Sequence, residues 1–192
     1  MRGEHLTEVE IKLVVEDPSA VRRRLRQLSA RAIRSVTLVD TYFELPWRPP
    51  GEGEMRLREV VRGDAHHELT LKGPPDADGD SRQEITTKIS IPDAMAGILE
   101  MVGAVVPARI EKTRDEFSLD GVPVCLDDVA GLGYFVEIGA PVAQSEVASM
   151  KLRIRRVAED LELDSESREQ RSYLELTLLS MESEVDSPGD SK

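Results

Sequence analysis

Apolar and charged residues alternate along many short segments of this chain, and the first such segment lies near its start. From Thr7 to Val15 the period is two, so a strand here places Glu8, Glu10 and Lys12 on one face and apolar residues on the other. Carboxylates at this spacing suit a hard divalent cation, and the nearby lysine suits the anion that such a cation carries. Taken alone, the segment favours the commoner arrangement, a half-exposed strand with a solvated charged face.

Later segments repeat this alternation, and their charged positions are mostly basic. Sorting each predicted strand by parity gives one set of bases on the polar faces: Arg56, Arg58, Lys72, Arg82, Lys88, Lys112 and Arg114. The acids on these faces come mainly from the first and last strands: Glu8, Glu10, Asp127 and Glu137. If the sheet closes, the like charges repel unless an anion and a cation fill the interior. A polyphosphate with a divalent metal meets both needs.

Helical patterns separate the strands and predict covers for their apolar faces. Asp17 and Pro18 are typical of a helix start, and Pro92 begins a second helix that ends at Gly103. Apolar residues spaced by three and four predict a third helix over residues 144–163. The apolar element 172–179 fits a helix or a strand equally well. About eight strands with these helices predict one α+β domain over residues 1–181, followed by a disordered acidic tail at 182–192.

Composition narrows the classes of function. The formal net charge of −12 argues against general binding of nucleic acid or of an anionic membrane. Cys125 is the only cysteine, which excludes an intrachain disulfide and a cysteine zinc cluster. No segment approaches the roughly 20 apolar residues that a spanning helix needs. The sequence therefore predicts a cytoplasmic protein with no nucleic-acid or membrane partner.

Several short motifs, in order along residues 6–140, carry a family resemblance. They are Glu8-x-Glu10-x-Lys12, Asp40-Thr41-Tyr42-Phe43, Arg56-x-Arg58, Lys72-Gly73-Pro74, Ser81-Arg82-Gln83-Glu84, Lys112-x-Arg114, Leu126-Asp127 and Gly131-x-Gly133-Tyr134-Phe135-Val136-Glu137. This series resembles the CYTH superfamily, the triphosphate tunnel metalloenzymes, and is most similar to its class IV adenylyl cyclase branch. The resemblance implies an eight-stranded antiparallel closed β-barrel with helices packed on the outside. It also implies a homodimer and a nucleoside or inorganic triphosphate bound with Mg²⁺ or Mn²⁺.

The resemblance also assigns roles to individual residues. It implies that the metal ligands are Glu8, Glu10, Asp127 and Glu137. It implies that the triphosphate is held by Lys12, Arg56, Arg58, Lys72, Arg82, Lys88, Lys112 and Arg114, and that Glu10, Lys12 and Asp127 act in catalysis. Bases and a metal that neutralise charge on a leaving group supply most of what phosphoryl chemistry requires of a protein.

The chain departs from the family pattern at one position. Many members carry Glu-x-Glu on the last strand, whereas here Glu137 is followed two residues later by Gly139. The leading expectation is a class IV-type adenylyl cyclase, in which the 3′ hydroxyl of ATP attacks the α-phosphate and releases pyrophosphate. The alternatives are a triphosphatase for tripolyphosphate, thiamine triphosphate or a nucleotide, and a non-catalytic polyphosphate-binding or nucleotide-binding module.

Overall fold

The computed structural model describes residues 6–49, 52–62 and 64–185. Strands and α-helices follow one another in these ranges in the order β1 (Thr7–Val15), α1 (Pro18–Gln27), β2 (Arg31–Phe43), β3 (Glu54–Val60), β4 (His66–Lys72), β5 (Ser81–Ile89), α2 (Pro92–Met101), β6 (Arg109–Leu119), β7 (Val122–Val129), β8 (Gly133–Val142), α3 (Val147–Asp160) and α4 (Tyr173–Val185). Two short 3₁₀ segments, Gln144–Glu146 and Ser165–Ser167, flank α3.

The strands form one closed antiparallel barrel, in the order β1-β5-β4-β3-β2-β6-β7-β8. This confirms the predicted fold class. Because side chains alternate between the two faces of each strand, closure sends one set of residues into the interior and the other onto the outer surface. The charged faces predicted from the alternation are the interior faces.

The barrel wall is weakest between β1 and β5. β1 pairs with β8 along its whole length but with β5 only from Thr7 to Val9. Beyond that point the Glu10 N–H donates to the Asp80 carbonyl at 2.9 Å, and the Glu169 N–H donates to the Lys12 carbonyl at 2.8 Å. The residue before β5 and the segment before α4 therefore supply hydrogen bonds to β1 where β5 does not.

The main core lies outside the barrel, beneath α1 and α3. Outward-facing apolar residues of β1, β7 and β8 pack there against Leu25 of α1 and Ile154 of α3, which are both buried. The Asp17 carboxylate caps α1 by accepting from the Ser19 and Ala20 N–H groups at 2.9 and 3.2 Å, as the sequence predicted. A smaller cluster holds α2 through Leu99.

The C-terminal element, which the sequence left open, is the helix α4. Its first turn is fixed by a reciprocal pair in which the Glu175 N–H donates to Ser172 Oγ and the Ser172 N–H donates to Glu175 Oε2. Tyr173 and Leu174 are buried against apolar residues of β2, β6, β7 and β8 at one end of the barrel. Residues 182–185, which the sequence had placed in a disordered tail, are the end of helix α4. A helix extends readily from turns that are already formed. Residues 186–192 lie outside the described residues.

Candidate active site

The barrel encloses a cavity of about 370 Å³ whose wall is built mainly from charged side chains. All eight strands contribute, together with Ser172 and Tyr173 at the start of α4. The charged residues in the wall are Lys12, Arg56, Arg58, Lys72, Arg82, Lys112 and Arg114, with Glu8, Glu10, Glu54, Glu68, Glu84, Glu116 and Glu137. Such a wall suits an anionic ligand that arrives with a cation.

Ten of the twelve residues predicted for the site line this cavity, and two do not. Alternation along β5 puts Lys88 on the same face as Arg82, but the Lys88 side chain is exposed and does not line the cavity. Asp127 faces the interior, but it is completely buried beneath side chains that line the cavity and does not line the cavity itself. Neither placement supports the role predicted for that residue.

Buried carboxylates hold the bases in pairs, and Asp40 holds the first pair. Both oxygens of Asp40 accept from Arg58, each at 2.7 Å, and Arg56 lies 3.6 Å away. Burial alone would raise the pKa of Asp40, but the two guanidinium groups outweigh burial and hold the pKa well below its usual range. Asp40 is therefore an anion that fixes two arginines in the cavity wall.

Asp127 holds the second pair. It accepts from Lys112 at 2.7 Å and from two nitrogens of Arg114 at 2.7 and 2.6 Å. Burial opposes its ionisation, yet Arg114 and Lys112 keep the pKa of Asp127 below its usual value. Asp127 is completely buried, does not line the cavity and accepts from cations at both oxygens, so it is placed to orient the bases rather than to bind a metal.

Glu8 forms the third such arrangement. Its carboxylate accepts from Lys72 at 2.6 and 2.8 Å and lies 3.5 Å from Arg82. Lys72 also lies 3.3 Å from Glu84. Burial raises the pKa of Glu8, but Lys72 and then Arg82 outweigh it and lower the pKa overall. This group faces the cavity from the weak β1–β5 side of the barrel.

Arg56 retains one polar atom without a partner. Its Nε is the buried side-chain nitrogen or oxygen that makes no hydrogen bond within the described ranges of the chain. A buried donor left unpaired is costly and is uncommon in native structures. Since Arg56 lines the cavity, its guanidinium group is placed to donate to an anionic ligand there.

Glu10 differs from the other carboxylates of the site because no cation pairs with it. Across the part of the chain that the structure describes, no hydrogen bond or ion pair reaches its carboxylate. Burial, followed by repulsion from Glu137 and Glu8, raises the pKa of Glu10 to about 7. A divalent cation would relieve both effects.

The departure at Gly139 has a packing reason. Gly139 is the cross-strand neighbour of Glu10 in the β1–β8 pair. A Cβ at position 139 would lie 2.2 Å from the Val9 carbonyl oxygen and 2.6 Å from the Glu10 Cα. β1 and β8 therefore approach too closely for any side chain here, and Glu137 is followed by no second carboxylate.

The carboxylates fit a metal that arrives with its ligand. Residues 6–49, 52–62 and 64–185 contain no group of three His, Cys, Asp or Glu side chains placed to hold a metal ion by themselves. Mg²⁺ commonly uses one or two carboxylates and completes its shell with water and substrate phosphates. Glu10, with Glu8 and Glu137 nearby, provides such a partial set.

Comparison with known proteins agrees with this architecture. The model of the CYTH domain family matches residues 6–173. The chain belongs to the CYTH domain family. Relatives of this CYTH domain include the Methanocaldococcus jannaschii protein named "Putative adenylate cyclase MJ0240", which is 28% identical over 173 residues, or 89% of this chain and 98% of that protein.

Solved structures share the CYTH fold. The PH1819 protein from Pyrococcus horikoshii OT3 matches with a TM-score of 0.81 and 28% identity over 90% of this chain and 98% of that one. HpAC1 from Hippeastrum, for which a dominant triphosphatase activity is stated, matches with a TM-score of 0.64 and 16% identity over 92% and 96% of the two chains. At that identity the likeness shows the fold alone. As for membranes, no helix in the described ranges is both long and apolar enough to cross one.

Sequence reasoning about this CYTH domain assigned no role to several residues of the site. Asp40 was part of the Asp40-Thr41-Tyr42-Phe43 motif, but nothing in that motif paired it with the arginines. Tyr173 lines the cavity although it belongs to an element whose type the sequence left open. Its partner Asp127 lies 46 positions away in the chain, so no local pattern could have found the contact.

Proposed function

We propose that this protein is a divalent-metal-dependent adenylyl cyclase of the class IV type, which converts ATP to cyclic AMP and pyrophosphate inside the barrel. The observation that carries the proposal is the array of cavity bases held in pairs by Asp40, Asp127 and Glu8. A linear triphosphate supplies several anionic groups in one extended ligand, and the bases of this array are placed to donate to them. The relative named for adenylate cyclase supports the choice of reaction.

The bases act on the leaving group. As the bond between O3′ and the α-phosphorus forms, the bond from that phosphorus to the bridging oxygen breaks, the hydroxyl proton is released and negative charge builds on pyrophosphate. Donors already fixed by buried carboxylates stabilise this charge without reorganising during the reaction. Arg56, Arg58 and Arg114 meet this description, because each is held by a carboxylate that is itself almost inaccessible to solvent.

The residues proposed to hold the metal are Glu8, Glu10 and Glu137. A bound Mg²⁺ or Mn²⁺ supplies Lewis-acid polarisation of a phosphoryl oxygen and lowers the pKa of a coordinated hydroxyl. Glu10 contributes the carboxylate that has no competing base among the described residues. Glu8 and Glu137 are each partly neutralised by neighbouring bases, which limits the mutual repulsion of the three carboxylates.

Gly139 favours cyclisation over hydrolysis. Two-metal hydrolysis uses a second cation to clamp the attacking and leaving oxygens, and a second cation needs further carboxylates. β8 has no space for a carboxylate at position 139. In cyclisation the nucleophile is tethered to the substrate, so its effective concentration is high without a bound water.

The second candidate is a triphosphatase, and the composition of the cavity wall favours it. The uncharged lining is limited to small or short side chains and two tyrosines, which leaves little apolar surface for a nucleobase. The same bases would hold tripolyphosphate. The activity stated for the Hippeastrum protein is of this kind, although that likeness extends to the fold alone.

Product analysis separates the two reactions. The purified protein is incubated with Mn²⁺ and either ATP or tripolyphosphate, and the products are resolved by chromatography. Cyclic AMP with pyrophosphate supports the proposal, whereas orthophosphate without cyclic AMP overturns it in favour of the triphosphatase. Binding without turnover of either compound identifies a binding module. Glu10→Gln is expected to abolish turnover, and Glu16→Gln, at an exposed position just beyond β1, is the matched control.

We place the reaction in the cytoplasm and the protein in a homodimer, both as proposals. A chain with one cysteine is compatible with a reducing compartment. The dimer follows from the family resemblance, and sedimentation velocity tests it: a single monomeric species at micromolar concentration would contradict it.

A further inference from the structure

The first residue of α4 lies among the bases of the cavity. Tyr173 is only 4% exposed, lines the cavity and packs edge-on against Phe135, with 5.1 Å between ring centroids. Its ring lies 4.5 Å from the Lys12 ammonium and also 4.5 Å from the Lys112 ammonium. Two bases from β1 and β6, which β7 and β8 separate in the barrel wall, therefore meet on one aromatic ring.

Polar contacts fix the same group of side chains. The Tyr173 hydroxyl donates to Asp127 at 3.0 Å, and Lys112 donates to the same oxygen at 2.7 Å. The Lys12 ammonium donates to the Arg171 carbonyl, two residues before the tyrosine. The start of α4 thus contacts both lysines and the carboxylate that orients one of them.

These contacts exceed what packing requires. A buried apolar residue would fill the same space against Phe135, but it would attract neither ammonium and would leave Asp127 without this donor. Lysine has a long, flexible side chain, so an ammonium without a fixed neighbour does not keep one position. Charged neighbours of both signs surround Lys12, with Glu137 and Glu10 on one hand and Arg82 on the other, whereas the ring offers its ammonium one fixed position.

We propose that Tyr173 is a positioning residue that holds Lys12 and Lys112 in place for a triphosphate. Its ring attracts the two ammonium groups and its hydroxyl orients Asp127. Helix α4 is therefore part of the binding site, although it lies outside the barrel strands. The proposal rests on the proposed function only for the identity of the ligand, because the lysine positions are measurable without any ligand.

Two substitutions separate the ring from the hydroxyl, and a third controls for packing. Tyr173→Phe keeps the ring and removes one hydrogen bond to Asp127. Tyr173→Leu removes the ring and keeps an apolar side chain. Leu174→Ala truncates the next residue of α4, which is buried in the same apolar cluster and does not line the cavity. Circular dichroism and thermal unfolding identify the variants that remain folded.

The direct readout is the NMR spectrum of the lysine side chains without ligand or metal. In the native protein the Cε protons of Lys12 and Lys112 should be shifted upfield by the ring current. Tyr173→Phe should keep this shift, Tyr173→Leu should remove it, and Leu174→Ala should keep it. Lysine shifts that are unchanged in the leucine variant would overturn the proposal.

The second readout is calorimetric binding of tripolyphosphate without metal. We expect the leucine variant to bind about tenfold more weakly and the phenylalanine variant less than about threefold more weakly, in line with two partly desolvated cation–π contacts. Equal losses in Tyr173→Leu and Leu174→Ala would show a merely structural role and overturn the proposal. A native protein that does not bind tripolyphosphate would refute the proposed function, while the lysine spectra would still decide the positioning role.

Discussion

Replacing Asp40 with asparagine tests whether buried carboxylates hold the cavity bases in place. Asp40 is 1% exposed and accepts twice from Arg58 at 2.7 Å, with Arg56 3.6 Å away. Removing one partner of a buried ion pair costs about 3–5 kcal/mol, because the remaining charge stays buried without compensation. Asparagine still accepts one hydrogen bond, so we expect Asp40→Asn to lower the free energy of unfolding by about 3 kcal/mol.

The assay is urea denaturation followed by circular dichroism. The matched control is Asp115→Asn, because Asp115 also accepts twice from an arginine, Arg22, at 2.8 and 3.0 Å. Those side chains are 23% and 40% exposed, so the control should lose at most about 1 kcal/mol. An Asp40→Asn variant no less stable than the Asp115→Asn variant would refute the account of the paired bases.

The same variant gives a pH dependence with a defined sign. Because the pKa of Asp40 is lower in the folded protein than in the unfolded chain, its contribution is complete above the unfolded value of about 4. The contribution is lost as the pH falls from there toward the lower folded pKa. The stability difference between the native protein and Asp40→Asn should therefore be constant near neutral pH and shrink below about pH 4. A difference that shrinks between pH 8 and pH 6 would contradict this assignment.

Two further predictions concern single positions. Gly139→Ala should lower the free energy of unfolding by about 1–3 kcal/mol, because its Cβ would lie 2.2 Å from the Val9 carbonyl oxygen. The control is Gly97→Ala on α2, which has open space around it and should not destabilise the protein in thermal unfolding. Burial, against the weaker effect of Arg114, raises the pKa of the Cys125 thiol to about 12, so iodoacetamide at pH 8 should modify the folded protein far more slowly than the urea-unfolded chain. Equal alkylation rates would contradict that second assignment.

Pairing of bases with buried carboxylates explains how an acidic chain can hold several fixed cationic donors around one cavity. Each buried carboxylate offsets part of the mutual repulsion of two bases and fixes their geometry before a ligand arrives. Preorganised donors of this kind are more effective than mobile ones, because no reorganisation accompanies charge development. The net charge of −12 therefore describes the whole chain and not the interior of the barrel.

The sequence predicted the face of the strand on which a residue lies more accurately than it predicted the position of that residue along the barrel axis. Period-two alternation placed Glu8, Glu10 and Lys12 on one face, and all three line the cavity. Parity also selected Lys88 and Asp127, yet one is exposed and the other is buried behind the wall. The position along the barrel axis depends on the stagger between neighbouring strands, which the sequence of one strand does not show.

The C-terminal helix escaped prediction for a different reason. Residues 173–179 show no clean helical period, because Leu174 and Leu176, which lie on nearly opposite faces of the helix, both pack against apolar residues, while Tyr173 contacts polar groups of the cavity. A helix that buries more than one face lacks the pattern on which sequence reasoning depends. The closed barrel itself was expected from family resemblance, since alternation alone does not distinguish an open sheet from a closed one.

The central claim is that the bases of the cavity bind a triphosphate. Its most direct test is a calorimetric titration of the native protein and an Arg56→Gln variant with tripolyphosphate. Arg56 lines the cavity and carries the buried Nε that lacks a partner among the described residues. We expect saturable binding at one site per chain, weakened at least about tenfold by the substitution, because a hydrogen bond to a charged group contributes about 1.5–3 kcal/mol. Equal affinities in the two proteins, or no saturable binding to the native protein, would contradict it.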